Sequence, residues 1–573
     1  MAETLISPGV LAREQDQSQI TSQPVQAGAA IIGPTVLGPV ERPTLVTTFS
    51  EYLATFGGAL QSGSDEYSYF TSISAFNYFQ GGGTSLIVTR VVSGSYSAAT
   101  SSFISGSNAP ALAAGTAFTL ETIGSGTIMN STSTLTSKGA LPSGSSNNVR
   151  WEITTPDTSS GTFTLLVRRG DDNTKSKRVL ESYTNLSLDP KSSGYIARVI
   201  GDQTTTLLGS GTAEPYLQQS GNFPNASRYI RVKSVDKKTP DYLDNDGNAK
   251  SQYTASIPIA SAGTFGDAEG GLKAGANFYD TINSTNTQGL VEANYTDAIN
   301  LLANKDEFKY NIITVPGLVY VDYPTPLNSL IDNTATRGDA IVIADTVNYG
   351  ASITNVISTA ASIDSSYTAT YWPWCQITDP STGQLAWVPA STLIPGVYAA
   401  NDASAETWFA PAGINRGGLG VVRQAERKLT QTNRDSLYVG KVNPIATFPG
   451  RGVVVFGQKT LQTRASALDR VNVRRLLISL KSFISQVADN LVFEQNTAAT
   501  RNNFLGQVNP FLESVQQRQG LFAFKVVMDD SNNTPDVIDR NQLVGQIFVQ
   551  PTKTAEFIYL DFNILPTGAT FPA

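Results

Sequence analysis

Apolar and polar positions divide the chain into stretches of different period. Residues 1 to about 26 are thin in apolar groups and interrupted by Ser7-Pro8-Gly9. They read as an extended arm whose strand-like pieces, Thr4-Leu5-Ile6 and Val10-Leu11-Ala12, carry too little apolar surface to fold alone. Short apolar runs punctuated by Gly and Pro follow, at Ala29 to Pro34, Leu37 to Pro39 and Pro43 to Val46, and predict short strands. Helical spacing predicts helices over Phe49 to Phe56 and Tyr67 to Phe79, the second ended by Gly81-Gly82-Gly83, before a buried-type strand at Leu86 to Val92.

Between residues 91 and 150 the chain holds 22 Ser or Thr and only 3 charged residues. Strict alternation in Ala117 to Ile123, and again in Phe163 to Arg168, argues for strands rather than disorder. Residues 96–275 therefore read as an all-β insertion of one or two lobes. From about Val291 the pattern becomes α/β, with a helix closing at Leu301-Leu302. Buried parallel strands are predicted at Tyr310 to Val315 and Asp339 to Ala344, a helix at Val356 to Ser362 and a further buried strand at Val453 to Phe456.

Two long helices are predicted next, from Arg464 to Asp489 and from Thr497 to Gln519. At about 100° per residue, Val473, Leu476, Leu477, Leu480, Phe483 and Ile484 of the first fall on one core face. Arg470, Arg474 and Lys481 cluster within about 40° beside that face. They form either a solvated charged face or a basic stripe that docks on an acidic partner. Strands are expected at Phe522 to Met528, Leu543 to Val549 and Ala555 to Ile564. In the last, Ile558, Leu560, Phe562 and Ile564 share one face. An unpaired apolar strand of this kind invites pairing with another chain.

Composition removes most chemistry. The 573 residues include no histidine, which excludes His general bases, His-ligated metals and His-activated nucleophiles. A single cysteine excludes intramolecular disulfides and Cys-only zinc sites. A net charge of −7 argues against a nucleic-acid groove. The N-terminal 20 residues carry Glu3, Arg13, Glu14 and Asp16 rather than a signal core, and no run is apolar enough to span a bilayer, so folding in a cytoplasm and no membrane insertion are expected.

The remaining motifs read as architecture. Gly452 to Thr460 resembles a phosphate loop with an extra residue before Lys459, but four apolar residues inside it suit a strand and turn. Asp241, Asp244 and Asp246 before Gly247 fail the calcium-loop register and read as a polar turn. Gly417 to Gly420 reads as a tight turn and Asp529-Asp530 as a turn cap. Cys375, beside Trp372 and Trp374 and with no His to activate it, reads as core. No cofactor, metal or catalytic residue is expected.

Four ordered blocks resemble the tail sheath proteins of contractile bacteriophages. The first includes Ser7-Pro8-Gly9-Val10, Ala30-Ile31-Ile32-Gly33, Gly38-Pro39, Phe56-Gly57 and Val88-Thr89-Arg90-Val91. Glu181 to Pro190 is similar to that family's β-sandwich domain. The third runs from Arg337-Gly338-Asp339 through Tyr371 to Trp374 to Ala410-Pro411-Ala412-Gly413. The fourth comprises Val471 to Leu476, Phe493 to Asn496, Gln550-Pro551-Thr552 and Ala555 to Ile558.

The resemblance implies a multidomain α+β and α/β fold. It comprises a linker arm (1–26), the first part of the core (27–95), an outer β-sandwich insertion (96–275), a subtilisin-like α/β domain (276–460), a C-terminal α+β domain (461–555) and a second arm (556–573). Subtilisin-type catalysis needs a His base, so the fold likeness carries no enzyme activity.

It further implies a virion component that polymerises as a helical homo-oligomer of stacked rings around an inner tail tube. Contraction, triggered through the baseplate, then drives the tube through a cell envelope for genome ejection. Tail terminator or neck proteins are the expected partners at the far end. The arms, through Leu5, Ile6, Val10 and Leu11 and through Ile558, Leu560, Phe562 and Ile564, are expected to add strands to neighbouring subunits. Arg470, Arg474 and Lys481 are expected to face the tube, so that reversing all three charges would spare the monomer. The rival readings are the sheath of a genome-free injection particle and, remotely, an α/β hydrolase.

Overall fold

The computed structural model describes residues 25–26, 28–62, 65–104, 116–131, 144–173, 175–272 and 278–556. Residues 1–24 and 557–573 of the two arms lie outside the described residues, including Leu5, Ile6, Val10, Leu11, Ile558, Leu560, Phe562 and Ile564.

Within them, apolar runs assemble an eight-stranded sheet from β1 (Ala29–Gly33), β2 (Thr44–Val46), β3 (Leu86–Arg90), β4 (Ile312–Val319), β5 (Ile341–Asp345), β6 (Thr368–Trp372), β7 (Asn443–Phe448) and β8 (Gly452–Val455). The strand order is β8-β7-β6-β5-β4-β1-β3-β2. The six inner strands run parallel, and β8 and β2 close the edges antiparallel. β1, β3, β4, β5 and β6 are buried along their whole length, which is why they read as continuous rather than alternating apolar runs.

Helices α1 (Phe70–Gln80) and α2 (Ile394–Ser404) pack on each other beside the sheet. Their backbones approach so closely that a Cβ on Gly396 would lie 2.4 Å from the Asn77 carbonyl oxygen, so only glycine fits. The helix expected from Tyr67 starts at Phe70, because Asp65–Ser68 pairs instead with Ala59–Ser62 as a hairpin. Leu37 to Pro39 is a turn, not a strand. Gly38 has φ +100°, and the Phe56 ring fills the space a side chain would need.

The β-rich segment leaves and rejoins the core at adjacent points. The Ser97 amide donates to the Glu269 carbonyl (3.1 Å), and Thr100 and Gly266 exchange a pair of backbone bonds (2.8 and 3.0 Å). It holds a four-stranded and a three-stranded antiparallel sheet, plus a separate hairpin, Thr204–Leu208 with Tyr216–Ser220. Phe103 and Phe118 of the smaller sheet pack on Trp151 and Phe163 of the larger, the first pair tilted and the second stacked, at centroid distances of 4.2 and 5.7 Å. Arg90 at the end of β3 is fully buried at the junction and donates to the carbonyls of Gly38 (2.6 Å) and Ser125 (2.8 Å).

A second hydrophobic core belongs to the C-terminal part. It is built by α4 (Val471–Asp489), α5 (Ala498–Gln517) and the antiparallel pair β9 (Leu521–Val527) and β10 (Gln546–Pro551). Between α2 and α4 lies α3 (Gln431–Val439), used below. α4 begins seven residues later than its apolar spacing suggested. Residues 464–470 form a short turn capped by Ser466, and Arg470 pairs with Lys459 as a bridge before the helix starts. Among the described residues, no helix is long and apolar enough to cross a membrane.

Candidate functional site

The predicted core face of α4 is observed: Val473 is buried, and Leu476 and Leu480 join the second core with Leu477, Phe483 and Ile484 packed around it. Trp408, from the α/β side, inserts into this second core and donates from Nε1 to the Arg518 carbonyl (3.0 Å).

The other side of the first turns of α4 is polar and equally committed. Asn472 donates to the Trp408 carbonyl (3.3 Å). Arg475 pairs with Asp402 (2.5 Å) over the Tyr398 ring. Arg474 lies 3.9 Å above the Tyr367 ring, donates from Nε to the Ser366 carbonyl (3.1 Å) and also reaches the Ser366 hydroxyl. Three polar side chains in one turn of helix therefore clamp the C-terminal unit to different parts of the α/β unit.

This corrects the reading of Arg470, Arg474 and Lys481 as one exposed stripe. Arg474 is 4% exposed, and burial pulls its pKa down, only partly offset by Tyr367. Arg470 forms a forked pair with Glu556 (2.8 and 3.1 Å) and another contact with Asp469 (2.9 Å). Lys481 alone of the three stays on the open side, its ammonium 3.3 Å from the Tyr367 hydroxyl. Helical angle places side chains relative to one helix; it does not say what the rest of the fold lays over them.

The β9–β10 pair is the structural feature suited to joining chains. Among the described residues no third strand joins it, so both outer edges present backbone donors and acceptors. Phe524, Val526, Ile547 and Val549 pack on the second core. On the surface, Phe548 is 57% and Phe522 75% exposed, the latter at a register shift between Leu521 and Ala523. The expected strand at Leu543 begins at Gln546, because the Val544 backbone is instead taken up by paired hydrogen bonds with the Asn533 side chain.

The chemical motifs resolve into structural contacts. Lys459 donates to the Tyr438 carbonyl (2.8 Å) and caps its ring. Asp244 accepts the amides of Asp246 and Asn248, and Asp241 pairs with Lys191. Gly418 forms a bridge to Val454. Asp529 caps a turn at Ser531, and Asp530 pairs with Arg501. Cys375 is buried, and burial pushes its thiol pKa up. Among the described residues, no group of three or more acidic or Cys side chains is arranged to hold a metal.

The carboxyl ends of the parallel strands, where α/β enzymes place their sites, bring Asp345 and Ser391 together. Ser391 donates to the carboxylate from its hydroxyl (2.5 Å) and its amide (3.1 Å), and both residues are buried. With no histidine in the chain, this pair lacks the general base that would activate the serine.

Burial raises the Asp345 pKa to about 7 against the opposing hydrogen bonds from Ser391. An unfolded Asp titrates near 3.8, so between pH 4 and 7 the folded state holds a proton that the unfolded state has lost. This group's contribution to stability is therefore complete below about pH 4 and falls by about 1.4 kcal/mol per pH unit up to neutrality. Asp345→Asn should flatten that loss. Thermal melts at pH 5 and pH 8 should differ clearly less in the variant than in the parent; equal differences would remove Asp345 from the account.

Comparison with known proteins places this geometry. The sequence model of the phage tail sheath protein central domain matches residues 259–461, and that of the phage tail sheath C-terminal domain matches residues 463–565. Together they take up more than half of the chain, and the chain belongs to the tail sheath protein family.

The tail sheath protein of Vibrio phage KVP40 is 39% identical over 217 residues, covering 38% of this chain and 31% of the relative. That of Enterobacteria phage T4 is 36% identical over 217 residues, with 38% and 32% covered. That of Salmonella phage ViI is 31% identical over 316 residues, with 50% and 49% covered. The chain thus spans about a third of the length of the first two relatives and about half of the third. The crystal structure of a sheath tail protein from Listeria innocua shares the fold, with a TM-score of 0.53 at 9% identity over 92% of this chain and 95% of that one.

Proposed function

We propose that this chain is the structural subunit of a contractile tail sheath, polymerising as a helical sleeve around an inner tail tube and shortening to drive that tube through a host envelope. Membership of the sheath family, together with the open-edged β9–β10 pair in the C-terminal unit, supports the reading. The matched relatives are phage proteins, which favours a virion component over a genome-free particle. Assembly in a bacterial cytoplasm, attachment to a baseplate and capture by terminator or neck proteins belong to the same proposal.

The eight-stranded sheet serves as a subtilisin-like frame without catalysis. The β-rich segment 96–275 is an outer insertion, and the arms, 1–26 and 556–573, are linkers between subunits. Each arm adds a strand to a neighbour's β9–β10 pair, so that the link is made of main-chain hydrogen bonds and survives the exchange of side-chain contacts during contraction. The tube-facing surface is the open side of α4 around Lys481, with Arg470 at its border and Arg474 acting from within. Exposed pairs contribute about 0–1 kcal/mol each, which suits a surface that must release its partner, while helical repetition multiplies them along the tail.

Purified chain should form tubes or short sleeves visible by negative-stain microscopy. A protein that stays monomeric at high concentration, both alone and with isolated tubes, would count against the reading.

A further inference from the structure

The last described residue, Glu556, is held by groups from three separate parts of the fold. Arg470, at the start of α4, grips its carboxylate with Nε (2.8 Å) and a terminal nitrogen (3.1 Å). The Tyr438 hydroxyl, from the end of α3, donates at 2.5 Å. The Gln458 side chain, after β8, donates at 3.0 Å and also reaches the Thr554 hydroxyl (2.7 Å). Burial alone would raise the carboxyl pKa, but the bonds from Arg470, Tyr438 and Gln458 outweigh it and hold the group below the usual range.

The path of the chain gives this cluster its meaning. At Thr552 the backbone is still tied to the C-terminal unit, its amide donating to the Gly520 carbonyl (3.2 Å) and its hydroxyl to the Gln519 carbonyl (2.6 Å). Two residues later Thr554, and then Glu556, are tied to the α/β unit and the start of α4. The chain therefore crosses from one unit to the other between residues 552 and 556. Lys553, in the middle of the crossing, is exposed.

We propose that Glu556 is the root of the C-terminal arm: its carboxylate fixes the point on the subunit from which the linker departs. The proposal rests on the linker reading of residues 556–573. A linker held only by the C-terminal unit would start after Thr552 and gain four loose residues, whereas one anchored at Glu556 starts from a fixed point beside Tyr438. A fixed origin limits where the arm's strand can land, which selects one neighbour rather than several. Glu556 is then a positioning residue, acting through the backbone that follows it.

The test uses the full chain. Lys553 is the sole Lys or Arg after Arg540, so trypsin reports on this segment by releasing residues 554–573. Cleavage of a locally opened segment tracks the population of the open form, so Glu556→Ala should be cut there about tenfold faster or more. Glu556→Gln, which keeps the shape but loses the charge, should fall between it and the parent. Tyr438→Phe, which leaves the Arg470 pair intact, should show a smaller rise. The melting temperature should change by no more than about 2 °C, because the contacts lie outside both cores.

In assembly, Glu556→Ala should give sleeves of irregular length or mixed subunit contacts. Equal cleavage rates in parent and Glu556→Ala would overturn the root. Faster cleavage with normal sleeves would overturn its positioning role. Deleting residues 557–573 separates the two readings: normal sleeves from that truncation would remove the linker reading itself, whatever Glu556 does.

Discussion

Removal of residues 1–20 is expected to give a folded, soluble monomer that builds no sleeve. Folding should survive because the strands of the large sheet lie beyond the cut. Val25–Gln26 already pairs in parallel with Phe308–Lys309, and β1 is an inner strand of the large sheet, between β4 and β3. Assembly should fail because the arm's strand-like pieces, around Leu5-Ile6 and Val10-Leu11, are the material proposed to satisfy a neighbour's open edge. Several main-chain hydrogen bonds at roughly 0.5–1.5 kcal/mol net each would be lost per junction. Every subunit repeats the junction, so the effect on polymer is all or none, while circular dichroism and the melting temperature of the monomer stay near those of the parent. Lengthening the arm by a few residues should allow assembly and weaken contraction. Sleeves of normal length from the truncated chain would contradict the linker role of this arm.

Reversing Arg474 to Glu is expected to cost the monomer about 3–5 kcal/mol, the range for leaving a buried charge uncompensated. The new carboxylate would face the Ser366 carbonyl and the Tyr367 ring, which repel an anion, and the single Ser366 hydroxyl nearby supplies no compensating charge. Lys481→Glu, on the open side, should change stability by no more than about 0.5 kcal/mol. Arg470→Glu should lie between the two, because a part-buried fork to Glu556 is replaced by repulsion. Denaturant unfolding of the isolated subunit measures all three. The idea that the triple reversal spares the monomer does not survive the burial of Arg474. If Arg474→Glu keeps full stability yet fails to assemble on tubes, Arg474 is an interface group and the packing described for it is wrong.

What could be read from the sequence was whatever depends on neighbours along the chain. The buried parallel strands announce themselves as apolar runs because both faces of the sheet are covered. The core face of α4 follows from 3.6-residue spacing alone. The Ser- and Thr-rich alternation of residues 116–125 marks strands even with few large side chains. What could not be read depends on distant partners. Arg474 meets Ser366 and Tyr367, more than a hundred residues earlier, and nothing in the local pattern tells a solvated arginine from one stacked on a distant ring. Trp408 crossing into the second core, and the gathering of Tyr438, Gln458 and Arg470 on Glu556, are likewise products of tertiary packing. A weak signal for the last existed in Ala555-Glu556, a charge at the start of a largely apolar strand pattern, but its partners were invisible. The helix predicted over residues 67–69 failed for a related reason: the local apolar spacing was outweighed by pairing of Asp65–Ser68 with the strand before it.

The central claim is that subunits are linked by strands donated to the β9–β10 pair. Helical reconstruction by cryo-electron microscopy of sleeves grown from the full chain tests it most directly. The account predicts a four-stranded sheet at each C-terminal unit, with β9 and β10 in the middle and an added strand on either edge, each traced to a different neighbouring subunit and present at every lattice position. Sleeves in which β9 and β10 remain a two-stranded pair, with both arms folded back onto their own subunit, would contradict it.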